Sequence, residues 1–336
     1  MNRREFVALS SAALPVMAGR QKLSSQSKLG IATTSYMIAW RPKDTMEFLE
    51  HCHRIGAGGI QSPINGDIPA LRKRADEYGM YIEAMVPIPK GDDTEAFEHS
   101  LKDAQAVGAV ALRAACLGSR RYEAFNSLDD WRVHVAESHR SLEAARPVLD
   151  KYKIPLGVEN HKDWTADELV SVMKKYATEY LGVCLDFGNN LSLLDEPMDV
   201  VEKLAPFTIS THIKNMGTQP YSEGLLLSEV LLGDGYLDLP QAIALVRQSR
   251  PNTRFSLEMI SRDPLKVPCL TDKYWVTFPD RNGLYLARSL RFANEHASVK
   301  PLPTVSHLSH EEHLKKEDQN VIDCLQYANE KLGFAA

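Results

Sequence analysis

Four short apolar runs in the second half of the chain end in side chains that bind metals or carry protons. Leu156-Gly157-Val158 leads into Glu159-Asn160-His161, and Cys184-Leu185 into Asp186. Ser210-Thr211 leads into His212-Ile213-Lys214, and Phe255-Ser256-Leu257 into Glu258-Met259. Short apolar runs bounded by turn signals read as buried strands. A charge at the end of such a strand is costly unless something pairs with it. A lone carboxylate there is ordinarily an ion-pair partner or a helix cap; four ligand-type residues ending consecutive strands point to one shared partner. Glu159, Asp186, His212 and Glu258 offer a mostly oxygen donor set with one imidazole. That suits one divalent metal ion, Mn²⁺ first, with Mg²⁺, Co²⁺ or Zn²⁺ as alternatives that affinity alone does not separate.

Strands must alternate with helices to place these residues, and the chain reads that way. Strands are expected at Leu29 to Ser35, Gly58 to Ile64, Met80 to Val86, Ala109 to Ala115, Ile154 to Glu159, Leu181 to Asp186, Phe207 to Ile213 and Arg254 to Met259. Helical patterns separate them, including one from Leu128 to Tyr152 with a break expected at Pro147, and one at Thr165 to Ala177 that opens with a capping box, Thr165 to Glu168. Gly283 to His296 is read as the helix of the eighth strand. Eight such units predict an α/β protein, a closed TIM (β/α)8 barrel. An open doubly wound sheet would show a glycine-rich phosphate turn after its first strand, where this chain has Thr33-Thr34-Ser35-Tyr36. Long loops follow strands seven (Gly217 to Tyr236) and eight (Ile260 to Asn282), on the face where barrel sites are built. A C-terminal helical extension, 298–336, is expected to pack outside the barrel at 28–297.

The 336 residues carry a net charge of −5. Mild acidity without a basic cluster argues against nucleic acid, and no apolar run approaches a membrane span. Residues 1–27 read as an export signal and linker. Arg3-Arg4-Glu5-Phe6 followed by a weakly apolar run looks like a twin-arginine signal, so the expected location is the periplasm or beyond. The five cysteines are odd in number and widely spaced, which gives no disulfide framework. His51 and His53 are read as surface residues.

Val158-Glu159-Asn160-His161, Leu185-Asp186-Phe187-Gly188-Asn189, Thr211-His212-Ile213-Lys214-Asn215, Gly233-Asp234-Gly235 and Leu257-Glu258-Met259 together resemble the xylose isomerase-like barrel family. That family includes ketose 3-epimerases, hydroxypyruvate isomerase and inosose-processing enzymes. The resemblance runs from about Leu29 to His296. It implies one divalent metal held by Glu159, Asp186, His212 and Glu258, with the two glutamates also transferring protons through an enediolate that the metal stabilises. Two positions depart from the pattern. Asn189 stands where many epimerases have a histidine, and Thr218 where an arginine is often found, so substrate recognition is expected to differ. Asn189 and the strand-two end Gln61-Ser62-Pro63 also count against endonuclease IV-type repair.

His161 joins Glu159 and Glu258 as a catalytic candidate. Asn189, Lys214, Asn160, Arg113 and Trp275 are candidates for substrate binding. The expected activity is isomerisation or epimerisation of a free sugar or keto-sugar. The alternatives are a lyase that cleaves 3-oxo-glycosides by elimination on the same site, and a non-catalytic sugar-binding barrel. The expected partner is a small carbohydrate, with a homo-oligomer as the one assembly in view.

Overall fold

A computed structural model describes residues 26–336, so the twin-arginine segment lies outside the described residues. Strands β1 (Gly30–Ala32), β2 (Gly59–Ser62), β3 (Tyr81–Met85), β4 (Ala111–Ala114), β5 (Leu156–Glu159), β6 (Leu181–Asp186) and β7 (Thr208–Ile213) follow one another round a closed parallel barrel. Two more, β8 (Asn215–Tyr221) and β9 (Gly224–Val230), leave the ring before β10 (Ser256–Leu257) closes it between β7 and β1. A last strand, β11 (Leu265–Val267), pairs with β9. The barrel strands are buried along nearly their whole length, as expected for a parallel sheet with both faces covered.

The helices are α1 (Thr45–Arg54), α2 (Ile68–Tyr78), α3 (Glu95–Val107), α4 (Arg121–Ala124), α5 (Leu128–Tyr152), α6 (Ala166–Tyr176), α7 (Pro197–Leu204), α8 (Leu239–Ser249), α9 (Asp272–Trp275), α10 (Gly283–Glu295) and α11 (His310–Lys331). Local signals set their ends. Asp44 caps α1, the Thr165–Glu168 capping box opens α6, and Gly79 and Gly108 close α2 and α3 with φ of 63° and 71°. The break expected at Pro147 is absent: α5 continues through it, held by Val148, Leu149 and Tyr152 in the core.

One expectation about the end of the barrel is corrected. α10 packs on β8 and β9 rather than on the eighth barrel strand; it is α11 that lies against β10. The C-terminal helix is therefore the helix that completes the ring. Its acids clasp the loop after β1. Glu317 accepts hydrogen bonds from the backbone of Ile38, Ala39 and Trp40 at 3.3, 3.1 and 2.9 Å. Asp318 accepts from the Tyr36 hydroxyl at 2.8 Å and lies 3.0 Å from His51 Nε2. His51 is thus buried in this network, not at the surface; helical periodicity put it on α1, but its partners are Tyr36 in the loop after β1 and Asp318, 267 residues away.

The two long loops are joined to each other. β8 and β9 form a hairpin with a two-residue turn, and β11 from the loop after β10 adds a third strand to it. The second loop is fastened further by Arg121, which is stacked between Trp131 and Phe278 and bonded to Thr277 and Glu168, and by Arg281, 2.5 Å from Asp195. All five cysteines are free.

Candidate metal centre and active site

The barrel register brings four side chains to one end. Asp186 pairs with His212 across β6 and β7, and Glu159 ends the neighbouring β5. His212 pairs with Ser256, which puts Glu258 two residues further along, its amide bonded to the Ile213 carbonyl at 2.9 Å. One ligand atom from each of Glu159, Asp186, His212 and Glu258 lies within 4.8 Å of the others. All four residues are buried.

These residues fit a metal ion on their own geometry. His212 Nδ1 is buried without a hydrogen-bond partner, and stands 3.6 Å from an oxygen of each of Glu159, Asp186 and Glu258. That is too long for a good hydrogen bond. It suits ligands sharing an ion at about 2.0–2.2 Å, which leaves roughly 3–3.6 Å between donor atoms. The other ring nitrogen is fixed: Nε2 donates to Gln61 Oε1 at 2.5 Å, and Gln61 Nε2 donates to Glu83 at 2.9 Å. A ring nitrogen committed in this way leaves the opposite lone pair for a cation. Asp186 is oriented similarly, since Oδ1 accepts from the Gly188 and Asn189 amides at 2.9 Å each, and Oδ2 has no aligned donor. Burial alone would lower the His212 pKa, but Glu258 and Glu159 outweigh it and push it up to about 10. Protons and a divalent cation therefore compete for the same nitrogen.

A frame of cations holds the carboxylates ionised. Burial opposes ionisation of Glu159, but Arg113 and then His212 hold its pKa well below the usual range. For Glu258 the same opposition is overcome by Lys214 and then His212. Arg113 bonds Glu159 Oε2, and Lys214 bonds Glu258 Oε2 and lies 2.7 Å from Asp186 Oδ2. Thr34, just past β1, donates to Glu258 Oε1 at 2.6 Å. Gly188 is required here: a Cβ on it would come within 2.5 Å of Met216 and 2.9 Å of the Lys214 stem. Gly235 of the Gly-Asp-Gly motif serves similarly, lying so close to the Asn215 amide that any side chain would collide.

The residues expected for substrate divide into two groups. Arg113, Lys214, Asn189 and His161 lie at or beside the quartet. Asn189 Nδ2 donates to Glu159 Oε1 at 3.2 Å, and burial pushes the His161 pKa down to about 4, helped by Lys162. Asn160 and Trp275 are occupied elsewhere. Asn160 is fully buried, with its amide spent on the Asp186 backbone at 2.7 and 2.8 Å and on Asn190, so it braces the strand end. Trp275 bonds the Cys269 carbonyl at 3.0 Å and packs against Tyr274 and Phe278 within its loop.

Sequence reasoning missed Lys162, Gln61, Glu83 and the Glu229–Arg262 pair. Lys162 donates to Asn189 Oδ1. Its only sequence signal was its place, one residue past His161. Glu229 and Arg262 come from the two long loops and meet at 2.5 Å, a pairing no local pattern reveals. Asp163 is also buried, accepting from the Trp164 amide at 2.8 Å, and burial pushes its pKa up to about 7.

The family model for the xylose isomerase-like TIM barrel matches residues 44–284. The chain belongs to that family. Among curated relatives it is 26% identical to a 3-oxo-isoapionate decarboxylase of Pectobacterium atrosepticum, over 67% of this chain and 82% of that protein. Its fold is similar to that of the IOLI protein with a bound zinc atom, at a TM-score of 0.52 and 12% identity, covering 89% of this chain and 98% of that one. It is also similar to a xylose isomerase-like TIM barrel protein from Mycobacterium smegmatis in complex with magnesium, at a TM-score of 0.50 and 17% identity, covering 81% and 100%. These structural likenesses concern the fold of the family, which is a family of sugar-processing enzymes.

Proposed function

We propose that this protein is a divalent-metal-dependent enzyme that moves a proton next to the carbonyl of a free sugar or keto-sugar, as an isomerase or epimerase. The observation that carries the reading is the quartet: four ligand atoms within 4.8 Å, including two glutamates from strands separated by β6 and β7. The ion, when bound, supplies a Lewis acid for oxygen atoms beside the reacting carbon. Glu159 and Glu258 supply the proton-carrying oxygens. Arg113 and Lys214 keep both carboxylates ionised, the form in which a carboxylate accepts a proton, at some cost in basicity. Thr34 and Asn189 fix the orientation of the two carboxylates through one hydrogen bond each. A binder that does no chemistry has no need for two such groups. The export signal belongs to the same proposal, because a free sugar rather than a sugar phosphate is the expected substrate outside the cytoplasm.

A second reading has one observation in its favour. The relative from Pectobacterium atrosepticum is named as a decarboxylase of a 3-oxo compound. On the same residues, loss of a proton or of a carboxyl group beside a carbonyl sends an electron pair toward the carbonyl oxygen. Elimination of an aglycone from a 3-oxo-glycoside would follow the same course.

One experiment separates the readings. Metal-loaded protein is incubated in D₂O with free ketoses and with 3-oxo-glucosides and followed by NMR. Deuterium at carbon with the skeleton retained is the expected result for an isomerase. Release of aglycone selects the lyase reading. Substrates that stay unlabelled and intact, in a protein that has bound its metal, overturn both.

A further inference from the structure

Each carboxylate of the quartet already has a cation beside it: Arg113 for Glu159, and Lys214 for Asp186 and Glu258. Glu229 is matched as well, by two nitrogens of Arg262. Lys162 is the charge left over. It is 4% exposed and donates to a neutral group, the Asn189 amide oxygen. Among the described residues no carboxylate lies within ion-pair distance of its ammonium. Its surroundings oppose the charge: burial, then Lys214 and Arg262, push its pKa down to about 8. Next to it in the chain, His161 keeps a buried Nδ1 without a partner.

The charges do not balance. The three carboxylates against Arg113 and Lys214 leave one negative charge, and a divalent ion turns that into one positive charge. Lys162 makes it two, Glu229 and Arg262 cancel, and the buried acids Glu83 and Asp163, pushed up to about 7 by burial, stay mostly protonated below that pH and offset only part of the excess. A buried excess of this sign is costly until an anion arrives to offset it, and a neutral sugar brings none.

The geometry points to a substrate that carries its own carboxylate, a sugar acid or keto-sugar acid, with Lys162 as the anchor for that group. The Asn189 amide bridges anchor and metal quartet, accepting from Lys162 and donating to Glu159. It therefore sets the distance between the carboxylate and the reacting carbon. A phosphate would call for a cradle of several N–H donors, where this position offers one ammonium beside one imidazole. The inference rests on the reading of the quartet as a sugar-processing metal site.

Calorimetric titration of the Mn²⁺-loaded protein with D-glucuronate, D-glucose and glucose 6-phosphate, at equal free Mn²⁺, tests it. Glucuronate is expected to bind at least about 10-fold tighter than glucose and tighter than the phosphate. Lys162→Gln should erase that preference, and Lys162→Arg should retain it in part. Both should keep Mn²⁺ affinity within about 3-fold of the parent protein. Glucose bound as tightly as glucuronate, phosphate bound best, or a preference surviving in Lys162→Gln would each overturn the inference. Should Lys162→Gln fail to fold, the parent ratio and the Lys162→Arg ratio decide: a ratio near one in the parent, or one unchanged by arginine, sinks the anchor. Glucose binding without a preference removes the anchor but leaves the sugar-processing reading standing. A metal-loaded protein that binds none of the three takes both down.

Discussion

The protein buries acids against a histidine in two places, and the two are built on opposite principles. In the clasp of α11 the contacts are closed: Glu317 takes three backbone amides, and Asp318 sits 3.0 Å from His51 and 2.8 Å from Tyr36. In the quartet they are open: His212 Nδ1 stands 3.6 Å from three carboxylate oxygens and bonds none of them. The difference between 3.0 and 3.6 Å separates a satisfied group from an open one. The closed cluster spends its charge on holding a loop, whereas the open one leaves its donor atoms placed as an ion would need them.

The comparison breaks first at the quartet. Asp186→Asn or His212→Ala should lower divalent-metal affinity by roughly 100-fold or more and turnover by about 1,000-fold, with the fold retained. Metal titration and circular dichroism check this; a variant that still binds metal like its parent would make the open cluster a second clasp. On the closed side, Glu317→Ala strands three backbone donors and should cost about 3 kcal/mol in urea unfolding. Metal affinity in the protein that remains folded should change little. Were metal affinity to fall in step with stability, the two clusters could not be regarded as separate devices.

Smaller effects sharpen the contrast. Gln61→Ala frees the His212 ring without touching a ligand, and should weaken metal binding roughly 10-fold. An unchanged affinity would show that the ring needs no fixing. Asp163 supplies a buried acid of a third kind, kept protonated by burial with a pKa of about 7. The unfolded chain gives up that proton near pH 4. Stability from this group is therefore full below about pH 4, falls as pH rises, and is gone above about 7. The advantage of Asp163→Asn, which mimics the protonated form, over the parent should grow by roughly 2 kcal/mol between pH 5 and 7. A difference that stays flat with pH would mean that Asp163 is ionised in the fold.

The quartet was legible in the sequence because barrel geometry converts a local pattern into a spatial one. Consecutive strand ends are neighbours, so Glu159, Asp186, His212 and Glu258 could be read together without knowing any contact. Arg113 and Lys214 were visible for the same reason. What escaped depends on long-range closure. His51 needs Asp318, and Glu229 needs Arg262 from the next loop. The β8–β9 hairpin was hidden because its strands sit within what composition presents as one long loop. Asn160 misled because an amide beside a ligand looks the same whether it faces substrate or backbone. α10 and α11 were exchanged because both carry a helical period, and only packing shows which one covers β10.

α11 spans the barrel from mouth to foot. Near its start it grips the loop after β1, and beyond its end Phe334 O accepts from Lys28 N at 2.6 Å, at the root of that same strand. Twenty-two residues make a rod about 33 Å long. In mechanical terms it is a tie rod under which the first strand is clamped at both ends, and Thr34, which holds Glu258, lies inside the clamp. Losing the buried ring of Phe334 would loosen the foot of that clamp, so that a residue with no chemistry of its own bears on how firmly Thr34 holds the Glu258 carboxylate.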